Sequence, residues 1–201
     1  MASIFKRQRL PDGVDAERVP PGQTLTAPDR WPLLHFGPVP KVDIAKWDLR
    51  VFGAVRNPVQ LDYGELRALP TKEVVADIHC VTGWSRLGDL WTGVPIQEIL
   101  RRVEPLPEAQ YVMAHCEYGY ATSLPLEVLD DDDVLLCYGW NGQDLTVDHG
   151  FPLRLFVPKK YFWKSAKWLR GLEFMTKNRL GFWEQRGYHD EADPWKETRY
   201  W

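Results

Sequence analysis

Between residues 47 and 55 the chain reads WDLRVFGAV, β-branched and aromatic residues in imperfect alternation before the turn pair Asn57-Pro58, which predicts a strand. LDYGELRALP follows, with Asp62 and Glu65 spaced as a capping box for a short helix that Pro70 stops. KEVVADIHC, residues 72–80, is strand-like and ends on Cys80. The next stretch, VTGWSRLGDLWTG, has no sustained period and two interior glycines, so residues 81–93 read as a functional loop. In VPIQEILRRV, Val94, Ile96, Ile99, Leu100 and Val103 recur at helical spacing with Pro95 near the first turn. AQYVMAHCEYG and DVLLCYGW predict two more strands, Asn141-Gly142 a hairpin turn, and FPLRLFVP the returning strand. The last segment, GFWEQRGYHDEADPWKETRYW, is aromatic and charged without a period and reads as a loop-rich tail held by its rings. Residues 1–30, rich in Pro, Asp and Arg, read as an irregular arm, leaving 31–201 as the domain proper. Strands and short helices mix without a βαβ rhythm, which argues an α+β fold with mixed or antiparallel sheets.

Composition narrows the function classes. The 201 residues are 44% hydrophobic and 26% charged with net charge -3, a globular balance without the basic excess that a nucleic-acid partner requires. The basic residues near the N-terminus precede no apolar run, and no apolar stretch reaches bilayer length, so neither export nor membrane insertion is expected and the cytoplasm is the expected compartment. Cys80, Cys116 and Cys137 are three, and an odd number cannot close a disulfide framework, which also fits a reducing compartment. Ten tryptophans, several beside Gly, Lys or Arg, suit either the walls of a site for a large flat ligand or an aromatic core.

The stretch IHCVTGWS puts Cys80 where a strand breaks into a loop, and a buried inert thiol, a nucleophile and a soft metal ligand are the readings open to it. "HC" occurs twice, at 79–80 and 115–116, but neighbours on a strand point to opposite faces and no CxxC or HxxxH follows, so a closed zinc site is not indicated. A cysteine nucleophile would take His115 or His149 as its base. Cys116 and Cys137 lie within apolar strands and read as inert. Further on, HGFPLRLFVPKKYFWKSAKWLRG interleaves Arg154, Lys159, Lys160, Lys164, Lys167 and Arg170 with Phe156, Tyr161, Phe162 and Trp163. Cations for a phosphate and rings for a heterocycle are both present there, and a solvated basic face is the alternative.

These two segments, CVTGWS with LWTGVPIQEIL and HGFPLRLFVP with YFWKSAKWLRG, resemble the molybdopterin-binding domain of the sulfite oxidase superfamily, over a stretch running from WPLLHFG to the C-terminus. Within it the chain is similar to the small bacterial oxidoreductases and to the molybdenum subunit of protein-methionine-sulfoxide reductase. The resemblance implies the fold of that domain and a mononuclear molybdenum-molybdopterin cofactor with Cys80 as the protein ligand to molybdenum. It places His35, Phe36 and His115 against the pterin, His149 and Arg154 at the HGFPLR turn, and Ser165, Ala166 and Lys167 at the phosphate. Sulfite oxidases proper carry arginines soon after the cysteine; here Arg86 alone stands there, and Arg86 and Thr82 are the residues expected to orient substrate. The implied activity is two-electron chemistry, most simply oxygen-atom transfer on a small S-oxo or N-oxo substrate. With no haem in this chain, a separate haem or flavin protein would carry the electrons. The alternatives are a hydrolase or transferase using Cys80 as nucleophile, and a module that binds the pterin without catalysis.

Overall fold

A computed structural model describes residues 10, 11 and 13–201; the first nine residues of the expected arm and Asp12 lie outside the described part. In chain order the strands and α-helices are β1 (Thr24–Leu25), β2 (Asp48–Gly53), β3 (Val59–Asp62), α1 (Tyr63–Arg67), β4 (Lys72–His79), β5 (Trp84–Pro95) and α2 (Ile96–Val103). They continue as β6 (Tyr111–Cys116), β7 (Ala121–Pro125), α3 (Leu126–Leu129), β8 (Leu135–Trp140), β9 (Gln143–Asp144), β10 (Arg154–Phe156) and β11 (Leu169–Met175). One sheet runs β1-β5-β8-β10 with β4 on β5 and β9 on β8; the other runs β3-β2-β11-β6-β7. Neighbours are antiparallel except β1 on β5 and β2 on β11, so both sheets are mixed, as α+β patterning led one to expect.

Local chemistry explains several boundaries. The Asp62 side chain accepts from Glu65 N–H at 2.8 Å while the Glu65 carboxylate accepts from Asp62 N–H at 2.9 Å, the reciprocal box that starts α1. In α2 the residues Ile96, Ile99 and Val103 are fully buried, with Glu98 in the first turn and Arg101 and Arg102 in the last, where each charge opposes the helix dipole. Asn141 and Gly142 both take positive φ, the conformation a two-residue hairpin needs, and Trp140 pairs with Gln143 across it. The apolar core gathers Leu49, Val51, Ile99, Leu136, Leu155 and Leu172 from α2 and both sheets.

One expectation is corrected here. Residues 81–93 are not a loop: Cys80-Val81-Thr82-Gly83 form a tight turn closed by Gly83 N–H to Cys80 O at 2.9 Å, after which β5 runs for twelve residues between β4 and β8. Its period is hidden because neighbours cover it along both edges and both faces, so polar and apolar positions do not alternate. Gly93 lies inside this strand because a Cβ there would stand 2.4 Å from Leu136 O and 2.8 Å from Cys137 Cα. Gly93→Ala is therefore expected to push β8 off β5 and to lower stability by about 2 kcal/mol or more, read as a fall in the urea midpoint. Strands β3, β7 and β11 also exceed the sequence reading; β11 follows directly on the basic aromatic segment and becomes the middle of its sheet, parallel to β2 and antiparallel to β6. Among the described residues no helix is long and apolar enough to cross a membrane.

The tail is anchored by rings, as expected: Tyr188 packs edge-on to Trp163 and to Tyr200, and His189 stacks on Trp201 at 4.3 Å. A buried ion pair adds to this. Lys164 Nζ lies 2.5 Å from Glu184 Oε1, both side chains wholly excluded from solvent, and also reaches Ser123 O and Asp190 Oδ1.

Candidate active site

Cys80 is the first residue of the turn between β4 and β5 and is 7% exposed. Its sulfur lies 3.2 Å from the Thr82 hydroxyl and packs with Val81, Tyr161, Trp163 and Tyr188. Burial pushes the thiol pKa up, while the Thr82 hydroxyl, the main-chain N–H groups of Thr82 and Val81, and Arg199 favour the charged form less strongly. A thiol raised in this way is a poor free nucleophile at neutral pH and a good soft ligand once a metal displaces its proton. The histidines considered as its base do not serve it. His115 Nε2 pairs with Glu173 at 2.9 Å and its ring stacks on Phe52. His149 is pushed down to about 4 by burial and then by the Arg154 charge, and its Nδ1 is engaged with Thr146 Oγ1 at 2.8 Å.

Beside the sulfur opens a cavity of about 380 Å³. Cys80, Thr82, His35, Phe36, His149, Arg154, Ser165, Ala166 and Lys167 all line it, so nine of the expected site residues, from five separate segments, meet in one place. Tryptophans 31, 84, 163, 168 and 183 form much of its wall, joined by Tyr120, Phe162 and Tyr188. The Trp31 ring stacks on His149 at 3.8 Å, and Phe36 packs on Phe182 at 4.3 Å at the outer rim. The tryptophan count signalled this wall, but which rings formed it, and the part of Tyr120 and Tyr188, had no sequence signal.

Opposite in character are two cations. Arg154, 2% exposed, donates from Nη1 to His149 O at 2.9 Å and from Nη2 to Ser165 O at 2.6 Å, and its guanidinium lies 4.1 Å from the centre of the Phe162 ring. Its pKa is lowered to about 10 by burial. Lys167 donates to Asp148 O at 2.8 Å and sits over Trp168; burial first and the Arg154 charge second lower it to about 7. Gly150 allows this proximity, since at φ 115° a Cβ would meet Arg154 Cβ at 3.2 Å and Lys167 Cβ at 3.3 Å. Neither cation forms an ion pair among the described residues, although the Asp148 carboxylate lies near enough to Lys167 to oppose its lowered pKa, and a buried Arg154 charge without a counter-charge favours an anion. Among the described residues, Arg154 Nε, His149 Nε2 and Trp84 Nε1 of the cavity-lining side chains are buried without hydrogen-bond partners, an unmet polar demand that an apolar ligand would not answer. Ser165 contributes through its main chain, because its hydroxyl already accepts from Val157 N–H at 2.9 Å.

Two expected site residues lie elsewhere. Arg86 is 6% exposed and turned into the arm: it makes a two-point pair with Asp89 at 2.8 and 2.9 Å and donates to the carbonyls of Ala27, Pro28 and Arg30. It does not line the cavity, so it has no hand on a substrate there. His115 faces Glu173 and Phe52 on the second sheet and is likewise outside the lining. The expected basic cluster also disperses. Lys159 pairs with Asp131, Lys164 with Glu184, and Arg170 with Asp48 and Glu117, while Lys160 has no ion pair among the described residues and stands outside the lining, leaving Arg154 and Lys167 at the cavity.

The low pKa of Lys167 gives a pH signature with two opposite signs. Between about 7 and the ordinary lysine value the unfolded chain holds a proton that the folded chain has released, so the contribution of Lys167 to stability rises with pH across that window. Anion binding restores the proton, so affinity for an anion of fixed charge is expected to fall as pH rises above about 7, by up to ~10-fold per pH unit. Titration calorimetry with sulfate on the cofactor-free protein checks this, and Lys167→Met should flatten the dependence.

Comparison with known proteins agrees with the geometry. The chain matches the oxidoreductase molybdopterin binding domain family over residues 36–183. It is 48% identical to the uncharacterized oxidoreductase YuiH of Bacillus subtilis over 91% of this chain and 92% of that protein. It is 30% identical to the catalytic subunit MsrP of protein-methionine-sulfoxide reductase from Ralstonia nicotianae, over 74% of this chain and 51% of that one. Sulfite oxidase of Arabidopsis thaliana is 28% identical over 77% of this chain and 48% of its own length. The chain thus spans almost all of the first relative and about half of the other two. The solved structure of sulfane dehydrogenase SoxCD from Paracoccus pantotrophus, at 21% identity, superposes with TM-score 0.69 over 84% of this chain and 48% of that one, a likeness of fold. A single cysteine sulfur and two cations line one ring-walled cavity within a matching domain, and the chain belongs to the family of molybdopterin-binding oxidoreductases.

Proposed function

We propose that this protein is a molybdenum-cofactor-dependent oxidoreductase that transfers an oxygen atom, together with two electrons, between water and a small uncharged S-oxo or N-oxo substrate. In the reducing direction a sulfoxide, two electrons and two protons yield a thioether and water. The observation that carries this reading is that the Cys80 sulfur and the unpartnered pair Arg154 and Lys167 line one cavity. No group of three or more His, Cys, Asp or Glu among the described residues is arranged to hold a metal ion, which suits a metal that takes one sulfur from the chain and the rest of its ligands from its pterin. Names among the relatives, protein-methionine-sulfoxide reductase, nitrate reductase and sulfite oxidase, refer to S–O and N–O chemistry and support that chemistry here, without bearing on the charge of the substrate.

In this reading Cys80 ligates the metal, Arg154 and Lys167 hold the phosphate, and His149 Nε2 and Trp84 Nε1 meet polar edges of the pterin. The bound molybdenum cofactor supplies a two-electron couple. Tryptophans 163 and 183 with Tyr188 keep water from the reacting end, and the Thr82 hydroxyl, beside the sulfur, orients the substrate oxygen. With Arg86 committed to Asp89 and both lining cations given to phosphate, no further lysine or arginine among the described residues lines the cavity to meet an oxyanion, which favours uncharged substrates. A separate haem or flavin protein would deliver the electrons. Three free thiols suit a reducing compartment such as the cytoplasm.

The test is elemental mass spectrometry of protein made in a host that synthesises the cofactor, followed by turnover of dimethyl sulfoxide, trimethylamine N-oxide and sulfite with artificial electron carriers. Molybdenum near one per chain and turnover of the two uncharged compounds is the expected result. Zinc or no metal returns the thiol to the nucleophile reading, and bound cofactor without turnover makes the protein a pterin-binding module.

A further inference from the structure

The turn that carries Cys80 is held from behind by both ends of the chain. Cys80 O accepts from Gly83 N–H and also, at 3.1 Å, from the side-chain amide of Gln23, an arm residue 7% exposed and 57 positions away. Val81 O accepts from Arg199 Nη1 at 2.8 Å, from the tail 118 positions away. Gly83 O accepts from Thr24 N–H at 2.9 Å. Arm and tail also meet each other, since Trp195 Nε1 donates to Glu17 O, and a Cβ at Gly22 would lie 3.3 Å from Arg199 Nη2.

The orientation of Gln23 is itself determined. Its Oε1 accepts from Ser85 Oγ at 3.3 Å, and Ser85 in turn lies 2.8 Å from His79 Nδ1 in a buried chain of polar groups. With the oxygen committed to Ser85, the amide nitrogen is the end that faces Cys80 O.

A trans peptide is planar with its C=O and N–H antiparallel, so fixing the carbonyl fixes the N–H on the opposite side. With the Cys80 carbonyl held toward Gly83 and Gln23 and the Val81 carbonyl toward Arg199, the N–H groups of Val81 and Thr82 point away from those partners, toward the Cys80 sulfur, which the Thr82 hydroxyl also meets. We propose that Gln23 and Arg199 are positioning residues for the metal-binding thiol, acting through the turn to present two main-chain N–H groups to the Cys80 sulfur. This deepens the proposed function and rests on Cys80 being the ligand. Neither residue lines the cavity, so neither touches cofactor or substrate.

Gln23→Leu, Arg199→Met and the conservative Arg199→Lys test it in the full chain. Hydrogen exchange of the Val81, Thr82 and Gly83 amides in cofactor-free protein is expected to be about tenfold faster in Gln23→Leu and Arg199→Met, near wild type in Arg199→Lys, and unchanged in β8 for all three. In loaded protein the sulfur-to-molybdenum charge-transfer band is expected to move to longer wavelength in the first two variants, because the sulfur lone pairs lose the N–H groups that lower their energy. Unchanged exchange and an unmoved band in both variants would overturn the proposal. So would acceleration spread equally into β8, which marks general loosening. A wild-type protein without the band removes the molybdenum reading instead, and the exchange rates then decide the clamp on their own.

Discussion

Cys80→Ser is expected to give a folded protein that has lost its charge-transfer band and at least about 10²-fold of its turnover. The floor follows from the usual cost of removing an outer-shell partner of a metal ligand, which is up to ~100-fold, and Cys80 in the proposed function is the ligand itself. Serine keeps the size class and a hydrogen bond to Thr82, so folding should survive with a loss of about 1 kcal/mol from the packing of the sulfur against Tyr161 and Trp163. Cofactor retention should fall less than activity, because Arg154 and Lys167 remain. Cys116 and Cys137 provide the comparison: both are buried, neither lines the cavity, and serine at either should leave the band in place. Visible spectroscopy and kinetics on the three variants read this directly. Full activity in Cys80→Ser would remove the thiol from the chemistry.

Lys164→Met should be the most destabilising of the substitutions considered, at about 3–5 kcal/mol, because it strands the Glu184 carboxylate without its counter-charge in the interior. Glu184 Oε1 would keep the Thr122 hydroxyl at 2.7 Å and a long contact to Trp163 Nε1, and its Oε2 already lacks a partner. Removing both charges is a different matter, since an apolar pair of similar volume avoids the desolvation cost. Lys164→Met with Glu184→Leu is therefore expected to recover most of the loss in urea or thermal unfolding. The ion pair also joins the segment bearing Trp163 and Ser165 to that bearing Trp183 and Tyr188, so the single variant should loosen the cavity wall as well. A single variant as stable as wild type would mean that the ion pair does not hold the tail to the body.

Several features of this fold were legible because they depend on neighbours in sequence. Asp62 and Glu65 announce α1, Asn141-Gly142 announces its hairpin, and the spacing of Ile96, Ile99 and Val103 announces α2, each through contacts spanning a few residues. Strand β5 was not legible, because burial on both faces erases the alternation that marks a strand and Gly88 and Gly93 look like breaks. Arg86 misled for a related reason: proximity to Cys80 in the chain suggested proximity to the reacting atoms, whereas antiparallel pairing carries it away and Asp89 holds it there. His115 misled as well, since its neighbours in sequence do not reveal that Glu173 on β11 faces it.

By itself the sequence determined the α+β class, most of the local elements, the solitary thiol at a strand end and the stock of cations and rings from which a cofactor site could be made. Only the tertiary structure decided which of those cations face the cavity without an ion pair. Charge is a property of the residue, but availability depends on partners brought from far along the chain: Glu184 for Lys164, Asp131 for Lys159, Asp48 for Arg170. Arg154 and Lys167 are left facing the cavity because the turn at Gly150 sets them against backbone carbonyls rather than in an ion pair, an arrangement that exists only once the sheets have closed around them.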